Sequence, residues 1–152
     1  MTRAAYVEAA RARAHTLYLG ETVAHRSCGI ALAETFGLPS RSYQSLRKGG
    51  LTGLGTCGAL QAGALVLGEI LGDPDPCGGA TAELKVGIEQ YRLTLAAAIP
   101  GSPDASCNER TAPFVDFGSR ARLLSCTNLA AQAAAAVAGV LHDLGRSVVI
   151  SG

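Results

Sequence analysis

The sequence predicts an all-α protein, a compact bundle of about five helices with a glycine-rich loop before the central helix. Apolar side chains recur at helical spacing, as at Leu84, Ile88, Tyr91 and Leu95, which places them on one face of a helix. No pair of segments shows the alternation of apolar and polar residues that marks neighbouring β-strands. We therefore expect residues 1–152 to form a single helical domain.

Composition narrows the classes of partner. The 13 Lys and Arg residues nearly balance the 12 Asp and Glu residues, for a net charge of +1, so no basic field attracts nucleic acid or a membrane surface. Aromatic residues make up only 5% and tryptophan is absent, which removes the stacking platforms of single-strand binders. Small molecules, a cofactor or another protein remain as partners, and no nucleic acid is expected.

Cellular location is predicted from the N-terminus and from the apolar runs. Charges are spread over the first twenty residues, without the apolar segment of a secretory signal. The apolar runs 62–71 and 129–141 are shorter than the roughly 20 residues that span a bilayer. We expect a cytoplasmic protein with no membrane segment, whose five cysteines are reduced, metal-bound or catalytic rather than locked in disulfides.

The first two helices are predicted from caps and stops. Thr2 is a candidate N-cap for a helix that extends to about Leu19 and ends at Gly20. The pair Glu21-Thr22 is expected to open a second helix that runs to Phe36 and carries Cys28 near its first turns. A short helical piece is expected over residues 41–47.

The central and later helices follow the same signals. A helix is predicted from Gly58 to Leu71, in which Gly63 and Gly68 let another backbone pass closely. A proline-rich loop follows, then a helix over residues 80–98. The last helix is predicted over residues 118–144, with a possible fresh start after Ser125. The run 148–150 is too short for a sheet and is interpreted as a tail or a dimer contact.

The most unusual segment is the loop of residues 49–58, which places Cys57 among glycines at the start of an apolar helix. Glycines allow positive φ and close approach, and unpaired N–H groups at a helix start favour a thiolate. The segment 53–58 also matches G-x-G-x-x-G, but no strand precedes it, so a dinucleotide site is excluded. Cys57 is a candidate ligand or nucleophile; the alternative is a small buried hydrophobe in tight packing.

Three cysteines, Cys28, Cys57 and Cys126, lie at or near predicted helix starts, and Cys107 lies in a predicted loop or single helical turn. Helix N-termini that converge would stabilise thiolates or an anionic cluster. None of the short metal-binding spacings is present, neither C-x-x-C nor H-E-x-x-H. His25, one turn before Cys28, is interpreted as a structural hydrogen-bonding group, and Cys77 as a surface cysteine.

These residues resemble the C_GCAxxG_C_C family of redox-active proteins. The likeness covers most of the chain: Cys28 before an alanine-rich helix, the glycine loop with Cys57-Gly58-Ala59, then Cys107 and Cys126. The resemblance implies a helical redox protein, with an iron-sulfur centre in some relatives. It implies Cys28, Cys57, Cys107 and Cys126 as metal ligands, and Cys77 lies outside the pattern.

Three functions are compatible with this cysteine set. The first is an iron-sulfur protein that transfers electrons to a redox partner protein, in which the loop glycines Gly55 and Gly58 contribute backbone groups to the cofactor site. The second is a thiol-disulfide oxidoreductase in which Cys57, a nucleophile of lowered pKa, pairs with a distant partner cysteine, Cys28, Cys107 or Cys126. The third is a structural zinc site in an interaction module. An Ala-rich face left uncovered on a monomer also predicts a homodimer.

Overall fold

The computed structural model describes residues 1–152, of which 62% are helical, with seven α-helices and no strand. The all-α prediction is confirmed. In chain order the helices are α1 (Arg3–Leu19), α2 (Cys28–Thr35), α3 (Arg47–Gly50), α4 (Gly58–Leu71), α5 (Ala82–Ala98), α6 (Cys107–Thr111) and α7 (Arg120–Asp143). A 3₁₀ helix, Arg41–Leu46, precedes α3. The predicted count of about five was low because α6 has too few residues to show an apolar period, and α3 is a four-residue turn in which Lys48 and Gly49 have left-handed backbone angles.

Helix α7 forms the centre of the core, and α1, α4, α5 and α2 pack around it. Its alanines face these neighbours, and Ala130, Ala133, Ala134 and Ala138 have no exposed surface. Small side chains let α1 lie close along α7. The expectation of an uncovered Ala-rich face is therefore wrong, because α1 and other helices cover it. Helix α7 is apolar and long enough to cross a membrane by composition, but 67% of its apolar window is buried inside the protein, as in a core helix.

The second helix begins at Cys28, not at Glu21 as predicted. Gly20 takes the left-handed conformation at φ 72° and turns the chain back along the end of α1. There the N–H of Arg26 donates to the carbonyl of Leu17 at 2.8 Å, and the His25 ring contacts the carbonyl of Tyr18. These tertiary contacts satisfy the last carbonyls of α1 and hold residues 21–27 out of helical conformation.

The two glycines inside α4 have different surroundings. A β-carbon at Gly63 would collide with the hydroxyl of Tyr91, which donates a buried hydrogen bond to the carbonyl of Leu60 at 2.7 Å. A β-carbon at Gly68 would meet nothing within 4 Å. Gly63 does allow a close neighbour, but that neighbour is a tyrosine side chain and not the predicted backbone. At Gly68 the expectation of a close neighbour is wrong.

Helix α7 runs without a break through Ser125 and Cys126, so the possible fresh start at this point is not found. The cap is Ser119, whose hydroxyl accepts from the N–H of Arg122 at 3.2 Å. Beyond α7 the tail lies across α1, where the hydroxyl of Tyr6 donates to the carbonyl of Val148 at 2.8 Å. Residues 148–150 are thus a tail, packed on their own chain.

Candidate functional site

Four of the five cysteines line one small cavity of about 40 Å³. Cys28 is the first residue of α2, Cys57 the N-cap of α4, Cys107 the first residue of α6, and Cys126 lies in the second turn of α7. The lining is completed by Tyr18, Lys48, Gly49, Gly58, Ala59, Arg110, Thr111, Phe117 and Leu129. The structure therefore brings together residues from four helices that are far apart in sequence.

Three helix starts do meet at the cavity, but they are not the three that the sequence predicted. Cys107 is at the start of a short helix, whereas Cys126 lies inside one. The side chain of Ser106 caps α6 by accepting from the N–H of Glu109 at 3.1 Å. The cap explains why residues 107–111 are helical.

Main-chain contacts hold α6 against the glycine loop. The N–H groups of Cys107 and Asn108 donate to the carbonyls of Gly55 and Gly53 at 2.8 and 2.9 Å. A β-carbon at Gly49, which has φ 60°, would lie 2.7 Å from Cβ of Cys107. The loop needs glycine here because a second backbone passes at contact distance.

The two glycines predicted to contribute to a cofactor site have separate positions. Gly58 lines the cavity, and a β-carbon there would collide with the carbonyl of Leu46. Gly55 lies outside the lining, and its N–H donates to the carbonyl of Gly49 at 3.0 Å. Gly55 thus acts through the main chain, by positioning Cys107.

Burial raises the pKa of three of the four cavity thiols. It raises the pKa of Cys57 to about 12, although the nearby N–H groups of Leu60 and Ala59 lower the pKa in part. Burial also raises the pKa of Cys28 and of Cys107, and neighbouring thiolates raise both further. The expected lowering of the Cys57 pKa is therefore wrong. The thiols repel one another as anions, so a bound cation would stabilise them as a set.

Tyr18 and Arg122 form a polar wall beside Cys126. The Arg122 guanidinium donates to the Tyr18 hydroxyl at 3.2 Å. Arg122 lies one turn before Cys126 on α7, and Tyr18 lines the cavity together with this cysteine. Burial raises the pKa of Tyr18, and the thiolates of Cys28 and Cys126 raise it further, so the phenol stays a proton donor. The sequence reasoning missed both residues. The i, i+4 spacing of Arg122 and Cys126 on one helix was an available signal.

Phe117 covers the cavity on its outer side. Its ring centroid lies 4.2 Å from the guanidinium carbon of Arg122 and 5.1 Å from Nζ of Lys48. Two cations on an aromatic ring hold it by cation–π attraction. Phe117 lines the cavity and is also 43% exposed, so its ring lies between the cysteines and solvent.

Arg110 also lines the cavity and has an unusual hydrogen-bond pattern. Its Nη1 donates to the carbonyl of Pro100 at 3.0 Å, and its Nη2 donates to the carbonyl of Ser102. Its Nε is buried and has no acceptor in the protein. An unpaired buried guanidinium N–H at the wall of a four-cysteine cavity fits a bound group with electron-rich acceptor atoms.

His25 and Cys77 lie outside the cavity. The His25 ring packs edge-on to Tyr18, with ring centroids 4.9 Å apart, and contacts the Tyr18 carbonyl. It supports the tyrosine from behind, in agreement with the structural interpretation. Cys77 is exposed in the loop between α4 and α5.

No three His, Cys, Asp or Glu side chains are grouped closely enough to hold a single metal ion. Comparisons with known protein families, with curated proteins and with solved structures found no match. The resemblance to the C_GCAxxG_C_C family therefore stays a prediction, and the function is argued from the site itself.

Proposed function

We propose that this protein is an electron-transfer component that binds an iron-sulfur cluster on Cys28, Cys57, Cys107 and Cys126. The observation that carries the proposal is that these four thiols, from four separate helices, line one buried cavity. Four thiolates are the usual protein ligands of two-iron and four-iron clusters. When bound, such a cluster supplies reversible one-electron chemistry, and the protein's part is to bind, shield and tune it.

The spread of the sulfurs favours a cluster over zinc. In a structural zinc site all four sulfurs lie about 2.3 Å from one ion, which requires them to be mutually close. No such group exists among these residues. In a cluster different cysteines bind different irons, so the ligating sulfurs surround a larger core. Four thiols that line one cavity without a close group of three are compatible with this larger core.

The protonation of the thiols favours a cluster over thiol-disulfide exchange. A nucleophilic cysteine needs a substantial thiolate fraction near neutral pH. Burial raises the pKa of Cys57 to about 12 and raises the pKa of Cys28 and of Cys107. Thiols of this kind are poor nucleophiles, but iron displaces their protons as it binds.

The residues around the cysteines have definite roles in this proposal. In the loaded site, N–H groups of Ala59 and Leu60 would donate to the Cys57 sulfur, and Tyr18 and Arg122 would donate to the Cys126 sulfur. Donors to ligand sulfurs disperse their negative charge and favour the reduced state. Phe117, which also lines the cavity, would shield the bound centre from solvent.

The redox partner would approach at Phe117. Electron transfer requires a short path to the partner, and this ring is both part of the cavity wall and partly exposed. Lys48 and Arg122 lie against it, so the contact region is positively charged. We infer a protein partner with an acidic surface, met in the cytoplasm. Homodimer formation stays a separate prediction. The Ala-rich face does not support it, because other helices of the same chain cover that face.

Anaerobic purification tests the proposed function directly. We expect a brown protein with broad visible absorbance that bleaches on reduction, and with iron and acid-labile sulfide in equal amounts. Serine substitution at any of the four cavity cysteines should reduce the iron content, and Cys77→Ser is the matched control. A colourless protein that contains zinc would favour the structural zinc site. A colourless protein with reduced thiols and no metal would favour the thiol-disulfide oxidoreductase.

A further inference from the structure

Arg110 is held in place by the loop before α6. It lies three residues after Cys107 on the same short helix, so the two side chains share a face. Two of its nitrogens donate to the carbonyls of Pro100 and Ser102, and this fixes the plane of the guanidinium. Because these two hydrogen bonds fix the guanidinium, Nε cannot rotate toward water.

The clamped Nε is buried and has no partner. No protein oxygen, nitrogen or sulfur accepts a hydrogen bond from it, the four cavity cysteines included. A buried donor without an acceptor is costly, and such groups are rare in folded proteins. Arg110 lines both the cysteine cavity and a neighbouring cavity bounded by Pro100, Ser102 and Phe114. Of the two, the cysteine cavity is the one suited to hold a group with acceptor atoms, and such an atom would satisfy Nε.

We propose that Arg110 is a positioning residue that donates a hydrogen bond from Nε to a sulfur atom of the centre bound in the cavity. This inference rests on the proposed function and assigns a residue that the cysteine pattern does not contain. A donor to a cluster sulfur stabilises the reduced, more negative state and raises the reduction potential. The positive charge of Arg110 acts in the same direction.

Arg110→Lys separates the hydrogen bond from the charge. Lysine keeps the charge but has no planar fork, so it cannot bond both carbonyls and still present a donor at the position of Nε. The matched control is Arg92→Lys on α5, where the arginine is exposed and pairs with Asp104 at 2.9 Å. The measurement is the reduction potential of each purified holoprotein, with circular dichroism to confirm the fold.

We expect Arg110→Lys to lower the potential and Arg92→Lys to leave it unchanged. A cluster-bearing Arg110→Lys protein with the wild-type potential would overturn the inference and leave the proposed function standing. If the variant does not hold the centre, the test uses wild-type protein labelled with ¹⁵N-arginine. Pulsed electron paramagnetic resonance then measures the hyperfine coupling between the reduced centre and an arginine nitrogen. A hyperfine coupling to ¹⁵N that persists in Arg122→Lys supports Arg110, and the absence of any such coupling overturns it. Wild-type protein without a cluster removes the proposed function and this inference together.

Discussion

The backbone N–H of Cys107 donates to the carbonyl of Gly55 at 2.8 Å, and this bond joins two segments that are distant in sequence. It places one cysteine of the cavity against the loop that presents another, Cys57. The neighbouring bond from Asn108 to Gly53 and the bridge between Thr56 and Ser106 extend the contact. The position of Cys107 thus depends on the glycine loop's backbone.

Alanine at Gly49 should disrupt the cavity more than alanine at Gly50. Both glycines have positive φ, which costs a non-glycine residue about 1–2 kcal/mol. Only Gly49 also faces a clash, since a β-carbon there would lie 2.6 Å from the Gly55 carbonyl oxygen and 2.7 Å from Cβ of Cys107. We expect Gly50→Ala to be mildly destabilised and to keep its iron content, and Gly49→Ala to lose both more stability and iron. Equal losses in urea denaturation and metal analysis would contradict this account.

Cys57→Ser should remove the cofactor and preserve the fold. Cys57 is the N-cap of α4, and serine is one of the best N-cap residues, so the helix keeps its start. One buried sulfur contributes on the order of 1 kcal/mol to the free energy of unfolding. We expect unchanged helicity by circular dichroism and a sharp fall in visible absorbance. Full retention of the centre would mean that the loop is only a packing device, and failure to fold would show that the core, of which Cys57 is part, requires its sulfur.

Cys77→Ser should have no effect on either property. The residue is exposed in a loop directly after Pro76, and it does not line the cysteine cavity. Iron content, reduction potential and melting temperature are expected to match the wild type within error. Loss of the cofactor in this variant would show that the ligand set includes Cys77.

The metal-free, reduced protein should lose stability as the solution becomes alkaline. Burial raises the pKa of Cys57 from 9.0 to about 12, so between these values the folded thiol keeps a proton that the unfolded chain has released. The free energy of unfolding then falls by roughly 1.4 kcal/mol per pH unit for each such proton. Urea denaturation at about pH 8 and about pH 10 should show this fall in the wild type and a smaller one in Cys57→Ala. Identical pH dependence in the two proteins would show that Cys57 is not the titrating group.

Two glycines of α4 offer a test of packing within one helix. Gly63→Ala should destabilise the protein by about 1–3 kcal/mol, because the new methyl group collides with the buried Tyr91 hydroxyl. Gly68→Ala meets no neighbouring atom and should stabilise the protein by up to about 1 kcal/mol through its higher helix propensity. Thermal denaturation of both variants measures the difference. Shifts of the same sign would contradict the assigned surroundings.

Much of the fold was predictable because its signals are local. The cap at Thr2, the stop at Gly20 and the apolar period of α5 each act within a few residues, and these helices lie close to their predicted positions. The start of α2 was not predictable, because the segment from Glu21 to Ser27 is held by carbonyls of α1 and not by its own sequence. A local pattern cannot reveal a bond to a preceding helix.

The candidate site divides in the same way. Its cysteines were selected by their glycine and alanine surroundings and by a family resemblance, and the fold places four of them around one cavity. The residues that complete the wall, Tyr18, Arg110 and Phe117, carry no mark in the sequence. Their roles depend on where three separate segments meet, which only the packed structure defines.

The distribution of the four cavity cysteines over the chain also determines when the cavity comes into being. Cys28 and Cys57 lie in the first half of the chain, but Cys126 and Leu129 belong to α7, the last helix. During synthesis α7 has to be made before it can dock against α1, so the four-cysteine cavity cannot close while only the first six helices exist. Until then Cys28 and Cys57 belong to a nascent chain whose apolar surfaces are still open.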